Sequence, residues 1–154
     1  MAVDRNGLEI LDSAECLRLL RTAKLGRVGV STGDVPTVLP VNFLLDKDRI
    51  LVRSGRGTKL DAAAREALVS FEVDDFDPMT HSGWSVVVMG KASEVTDAEE
   101  LAALRHAPIP RWAPGGETTI IAISTELISG RRIMPGHPKH KGESDEARRL
   151  PNRD

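Results

Sequence analysis

Residues 52–60, VRSGRGTKL, place Arg53, Arg56 and Lys59 among Ser54, Thr58 and two glycines, directly behind an apolar lead-in. Such a composition suits an anion, above all a phosphate, because guanidinium, ammonium and hydroxyl donors make charge-assisted hydrogen bonds to its oxygens. The spacing excludes two familiar phosphate loops. A nucleotide-hydrolysing loop needs a lysine directly after its second glycine and a hydroxyl directly after the lysine. Here Thr58 precedes Lys59 and Leu60 follows it. A dinucleotide fingerprint needs a third small residue, where this chain has Leu60. What remains is a strand end, a flexible turn and a short helix whose first amides face the turn. Arg53, Ser54, Thr58 and Lys59 then form a monophosphate cradle, the plain alternative being a solvated basic hairpin end.

Two further stretches could serve a flat ring beside that phosphate. In TVLPVNF, residues 37–43, Pro40 removes a ladder donor and Asn42 offers an amide in an apolar strand. Such a strand suits a heteroaromatic ring with carbonyls and ring nitrogens, or equally a bulge whose Asn satisfies its own neighbours. In GWSVVVMGKA, residues 83–92, Trp84 could wall a planar ligand while Ser85 donates to it. The alternative is an anchor at the edge of the core.

Other reactive side chains lack the company they need. His137 and His140 have ligand-like spacing but no second pair nearby, so no metal site is expected. Asp74, Asp75 and Asp77 lack the glycine and the closing glutamate of a calcium loop. Cys16 lies among leucines and reads as a buried thiol. Ser31, Ser54 and Ser85 lack the nucleophile elbow, and no catalytic residue can be named.

The elements that must hold these residues follow from periodicity and turn signals. A helix capped by Asp12 or Ser13 carries Leu17, Leu19 and Leu20 and stops near Lys24 and Gly26. A strand over 26–32 and a turn at Gly33-Asp34 lead into a hairpin with arms 37–45 and 50–54, bulged or at an edge at Pro40. Residues 58–67 read as a short alanine-rich helix, and 68–76 as a strand. Residues 84–95 read as a β-branched strand interrupted at Gly90. A second helix starts at Thr96 or Asp97, and the last strands fall within 118–133. From Met134 the chain is charged and poor in apolar residues, so 135–154 are expected to form a disordered tail behind a single domain, 1–134.

Short strands joined by tight turns, with few helices outside, predict a small barrel. The 154-residue chain carries a net charge of −2, so affinity for phosphate must be local, not a bulk field. Three Phe, two Trp and no Tyr leave few platforms for stacked bases, and no nucleic-acid partner is expected. The same scarcity leaves a thin core that a second subunit would complete. A single cysteine, no leader pattern and no apolar run of membrane-spanning length give the expectation of a cytoplasmic protein with no membrane partner.

In order and spacing, LGRV at 25–28, PVNF at 40–43, FEVDD at 71–75 and GWSVVVMG at 83–90 resemble the pyridoxamine 5′-phosphate oxidase-like flavoproteins. Within that superfamily the sequence looks most like the small bacterial branch that includes nitroimidazole-resistance-type proteins, over residues 11–133. The resemblance implies a mainly β fold, a six-stranded antiparallel split β-barrel, dimerising with FMN in grooves at the subunit interface. Carried over, Leu39, Pro40, Val41 and Asn42 line the ring, and Arg53, Ser54, Thr58 and Lys59 hold the phosphate. Trp84 and Ser85 approach the flavin, and Trp112 with Arg131 or Arg132 reaches it from the other subunit. The resemblance implies an FMN-dependent oxidoreductase acting on an unknown small molecule. A deazaflavin reductase or a non-catalytic flavin sensor is the alternative. The family's arginine–histidine grip on substrate phosphate is replaced here by GRRIMPGHP, so pyridoxamine-phosphate oxidation itself is not expected.

Overall fold

The computed structural model describes residues 1–63, 65–110 and 115–136. In chain order its elements are β1 (Glu9–Leu11), α1 (Ser13–Thr22), β2 (Leu25–Thr32), β3 (Val35–Asp46), β4 (Arg49–Gly55) and α2 (Lys59–Ala63). They continue with β5 (Arg65–Asp77), β6 (Ser82–Glu94), α3 (Ala98–Leu104), β7 (Thr118–Ser124) and β8 (Leu127–Ile133). The strands run β1-β8-β6-β5-β2-β3-β4-β7, and β7 pairs again with β6. That last pairing closes a six-stranded antiparallel barrel of β6, β5, β2, β3, β4 and β7, with β8 and β1 extending the sheet outside it.

The barrel is split because two long strands change partners. β3 pairs with β2 over residues 35–42 but with β4 only over 43–46. Pro40 therefore sits opposite Arg27 in an unbroken ladder while its other edge is open, and no bulge is needed. β6 pairs with β8 over residues 83–89 and with β7 over 92–94. The exchange happens at Gly90, where a β carbon would lie 2.0 Å from the carbonyl oxygen of Ser124. The expected interruption is thus absent: β6 is continuous, and the glycine is there because another backbone crosses it.

Alternation fills the interior. Val28, Val41, Phe43, Ile50, Val52, Phe71, Val86, Val88, Ile121 and Ile123 are buried in one cluster. Phe43 and Phe71 meet edge to face with ring centroids 4.9 Å apart, so two of the three phenylalanines supply its aromatic centre. The third, Phe76, is exposed. The opposite face of β4 and β7 builds a smaller cluster of Leu51, Val95, Leu104, Ile109 and Ile120 beneath α3.

Helix α1 is capped by Asp12, whose Oδ1 accepts from the amide of Glu15 at 2.8 Å, and it buries Cys16, Leu19 and Leu20. It ends at Thr22, earlier than the sequence signals suggest, because Gly26 belongs to β2. A β carbon on Gly26 would meet the Phe71 ring at 2.4 Å, so this glycine admits a core aromatic and does not cap the helix. Helix α2 is only five residues long, since Arg65 already opens β5 and tertiary pairing overrides the helical preference of alanine. Helix α3 uses Asp97, not Thr96, as its cap. β1 escaped the sequence pattern altogether, being three residues long. No helix among the described residues is long and apolar enough to cross a membrane. Residues 137–154, assigned from sequence to a disordered tail, lie outside the described residues.

Candidate functional site

Where β3 and β4 part, the split opens a cavity of about 290 Å3. Leu39, Pro40 and Val41 form one wall; Arg53, Ser54 and Thr58 stand across from them. The two stretches singled out for ring and phosphate thus share one cavity, because the ladder between their strands stops at Phe43 and Val52. Gly55, Leu60, Gly115 and Thr118 complete the lining. Gly55 and Leu60 fall within the basic stretch itself, whereas Thr118, at the start of β7, carried no local signal.

Inside the loop, most donors are already engaged. The Ser54 and Thr58 hydroxyls lie 2.8 Å apart, and Thr58 also donates to the carbonyl of Gly55 at 2.8 Å. The amide of Gly57 donates to Asp61 Oδ2 at 2.7 Å, and Thr119 donates to Asp61 Oδ1 at 3.1 Å. A resident carboxylate therefore occupies part of the donor array that the sequence suggested for a phosphate. Arg53 is different. Its Nε donates to the carbonyl of Ile109 at 3.3 Å, and it makes no ion pair among the described residues. Its positive charge meets no carboxylate among the described residues that line the cavity. Lys59 is exposed and, like the half-buried Asn42, is not part of this lining.

Trp84 and Ser85 lie elsewhere. They line a separate cavity of about 290 Å3 with Asp74, Asp75 and Arg131. Trp84 packs half-buried against the main core, the anchor role that sequence left open for it. Ser85 pairs with Asp74 on one side and Arg131 on the other. The two arginines of β8 are engaged within the chain. Arg131 Nε donates to Asp4 at 3.0 Å, while Arg132 donates to Glu9 at 3.1 Å and to Glu15. Hydrogen bonds from Arg18 and then Arg132 pull the Glu15 carboxyl down to about 2. These pairs tie α1, β1 and β8 together. Trp112 lies outside the described residues.

Among the described residues that line the split cavity there is no carboxylate, imidazole or thiol to act as a general acid or base. Cys16 is buried against Gly130, whose β carbon would lie 2.7 Å from the sulfur, and burial raises the thiol pKa, with Asp12 and Glu15 adding to the effect. Among the described residues no three His, Cys, Asp or Glu side chains gather as metal ligands. What the site can do is hold an anionic tail beside a flat apolar body.

Comparison with known proteins identifies the family. The family model described as pyridoxamine 5′-phosphate oxidase matches residues 12–132. The chain belongs to that family. Among its relatives, the uncharacterized protein Rv0080 of Mycobacterium tuberculosis is 36% identical over 129 residues, covering 80% of this chain and 84% of the relative. The solved FAD binding protein of Mycobacterium smegmatis is 35% identical, with a TM-score of 0.72, covering 82% of this chain and all of that one. A Corynebacterium glutamicum protein, solved as a candidate pyridoxamine 5′-phosphate oxidase, is 32% identical with a TM-score of 0.74 and covers 85% of this chain and 96% of its own. The family membership leaves the split barrel as expected and places Arg53, Ser54 and Thr58 within the matched span.

Proposed function

We propose that this chain is a flavin-dependent oxidoreductase that holds the mononucleotide half of its cofactor, FMN itself or the FMN portion of a larger flavin, in the split between β3 and β4. The observation that carries the reading is the pairing, in one cavity, of an apolar wall at Leu39, Pro40 and Val41 with two hydroxyls and Arg53, which has no ion pair among the described residues. That donor set fits the group. The wall is apolar enough for the ring, and the charge offsets a phosphate. A relative at 35% identity is named for FAD binding, which supports a flavin over other phosphorylated rings.

A bound flavin supplies the electron and hydride chemistry, which accords with a lining that holds no acid or base of its own. Arg53 neutralises the phosphate, Ser54 and Thr58 orient it, and the β3 wall keeps water from one face of the ring. A deazaflavin would meet the same wall and the same charge, and its substrate would likewise be a small molecule.

The same reading makes the protein a homodimer. Leu127, Met89, Ser70, Gly29 and Val38 are successive cross-strand neighbours over five strands, on the outer face of the sheet. Leu127, Met89 and Val38 are 63%, 58% and 68% exposed, a band of apolar surface that a second copy would bury. The test of the enzymatic claim is anaerobic addition of NADH, NADPH or a reduced deazaflavin to flavin-loaded protein. Loss of the oxidised flavin spectrum supports an oxidoreductase. A bound flavin that stays oxidised with every donor contradicts it and leaves a binding protein.

A further inference from the structure

Beneath α3 lies another cavity, of about 260 Å3, which the flavin reading leaves unused. Arg53 and Thr118 line both cavities, so the two share a wall. Alternation along β4 sets that wall. Ser54 points with Ile50 and Val52 into the barrel, whereas Arg53 points with Leu51 toward the layer beneath α3. The Nε of Arg53 donates on that side, to the carbonyl of Ile109.

The lining joins charge to aliphatic surface. Arg53, Arg56 and Arg105 bring three guanidinium groups against one carboxylate, Glu94. Arg56 engages Glu94 at 3.7 Å and, outside the lining, Glu117 at 3.3 Å. The Thr119 hydroxyl is committed to Asp61 at 3.1 Å. Arg105, the C-cap of α3, makes no ion pair among the described residues, and neither does Arg53. Val95, Leu104 and Ile120 form a buried floor, and Leu101 adds an exposed flank. Among the described residues that line the cavity no aromatic side chain is present to stack on a ring. Guanidinium groups above an aliphatic floor suit a carboxylate head on a hydrocarbon body, and a cavity of this size restricts that body to a compact one.

We propose that this cavity binds a small aliphatic carboxylate, its head between Arg53 and Arg105 and its chain on Val95, Leu104 and Ile120, and that its occupancy weakens flavin binding next door. The site stands on its own lining, while the coupling rests on the flavin reading of the split cavity. A carboxylate beneath α3 takes up Arg53 donors that a flavin phosphate would use, and it sets a negative charge near that phosphate. Both effects oppose the flavin. The coupling is reciprocal, so a bound flavin weakens the acid by the same factor.

Octanoate is the probe, with acetate and octan-1-ol as controls that lack the chain or the charge. Calorimetric titration of flavin-free protein is expected to show saturable octanoate binding, at least about tenfold tighter than either control. Arg105→Ala is expected to weaken octanoate about tenfold or more. Titration with FMN at rising octanoate, followed by flavin fluorescence, should show affinity falling about fivefold or more to a plateau. Without octanoate, Arg105→Ala should bind FMN within about twofold of wild type, which also shows that the variant is folded. Octanoate that fails to bind, binds no better than the controls, or binds Arg105→Ala equally well would overturn the site. FMN affinity that octanoate leaves unchanged or improves would overturn the coupling alone. A fall without a plateau would put both ligands in the split cavity and overturn site and coupling together. Octanoate binding that depends on Arg105, in a protein that takes up no FMN, would overturn the flavin reading and support the site.

Discussion

The hydroxyl oxygens of Ser54 and Thr58 lie 2.8 Å apart at the point where β4 leaves its partner β3. Either hydroxyl can donate to the other, and both reach the carbonyl of Gly55, so the loop itself offers acceptors for both protons. An arriving phosphate must compete for them. Among the described residues Arg53 is engaged only by the Ile109 carbonyl, so the proposed function assigns it the main share of anion binding.

Arg53→Ala should therefore weaken flavin affinity by about 1.5–3 kcal/mol, roughly ten- to a hundredfold, the scale of a hydrogen bond to a charged group. Lys59→Ala, at an exposed position outside the lining, should change it by less than about 1 kcal/mol. Titration of both variants with FMN checks the order. A larger loss at Lys59 would mean that the phosphate sits outside the split.

Gly90→Ala tests the architecture. The added methyl would press on the Ser124 carbonyl, a backbone atom that cannot rotate away. A loss of about 1–3 kcal/mol in urea unfolding is expected, with β6 and β7 forced apart where the barrel closes. An unchanged midpoint would show that the crossing is looser than described.

The outer band of Leu127, Met89 and Val38 gives a test of assembly. Val38→Asp puts a charge into the proposed dimer face without touching the barrel interior. Sedimentation should show a dimer for the wild type and a shift toward monomer for the variant. A wild-type monomer at micromolar concentration would remove the interface from the account.

Acid stability follows from Glu15. Its folded pKa of about 2 lies below its ordinary value of 4.5, because Arg18 and Arg132 donate to the carboxylate. A depressed folded pKa gives stability that is present above 4.5 and is lost as pH falls toward about 2. Glu15→Gln should flatten the stability profile in that window, read as the urea midpoint against pH. The carboxylate is only partly buried, so salt should shrink the difference.

Much of the site was legible because its two halves are continuous in sequence. Leu39 to Val41 and Arg53 to Thr58 each announce a local chemistry, and only their meeting required the fold. Gly90 shows the opposite case. A glycine in a strand pattern reads as an interruption, while the reason for it, the carbonyl of Ser124, comes from a strand more than thirty residues away. The resemblance sends Arg131 or Arg132 to the other subunit's flavin, and their partners within the chain went unread because β1 and the Asp4 turn are too short to register. The cavity that Arg53, Glu94, Arg105 and Thr118 line beneath α3 had no sequence signature, since four separate elements and their ends bring these residues together. Side-chain pairing across distant strands is what one-dimensional patterns omit.

The central claim is that the split between β3 and β4 holds a flavin, and the absorption spectrum of the purified protein tests it most directly. A yellow protein is predicted, with a flavin spectrum that shifts to that of the free cofactor on denaturation, or the same spectrum after incubation with flavin and removal of the excess. A colourless protein that retains no flavin after such incubation would contradict the account.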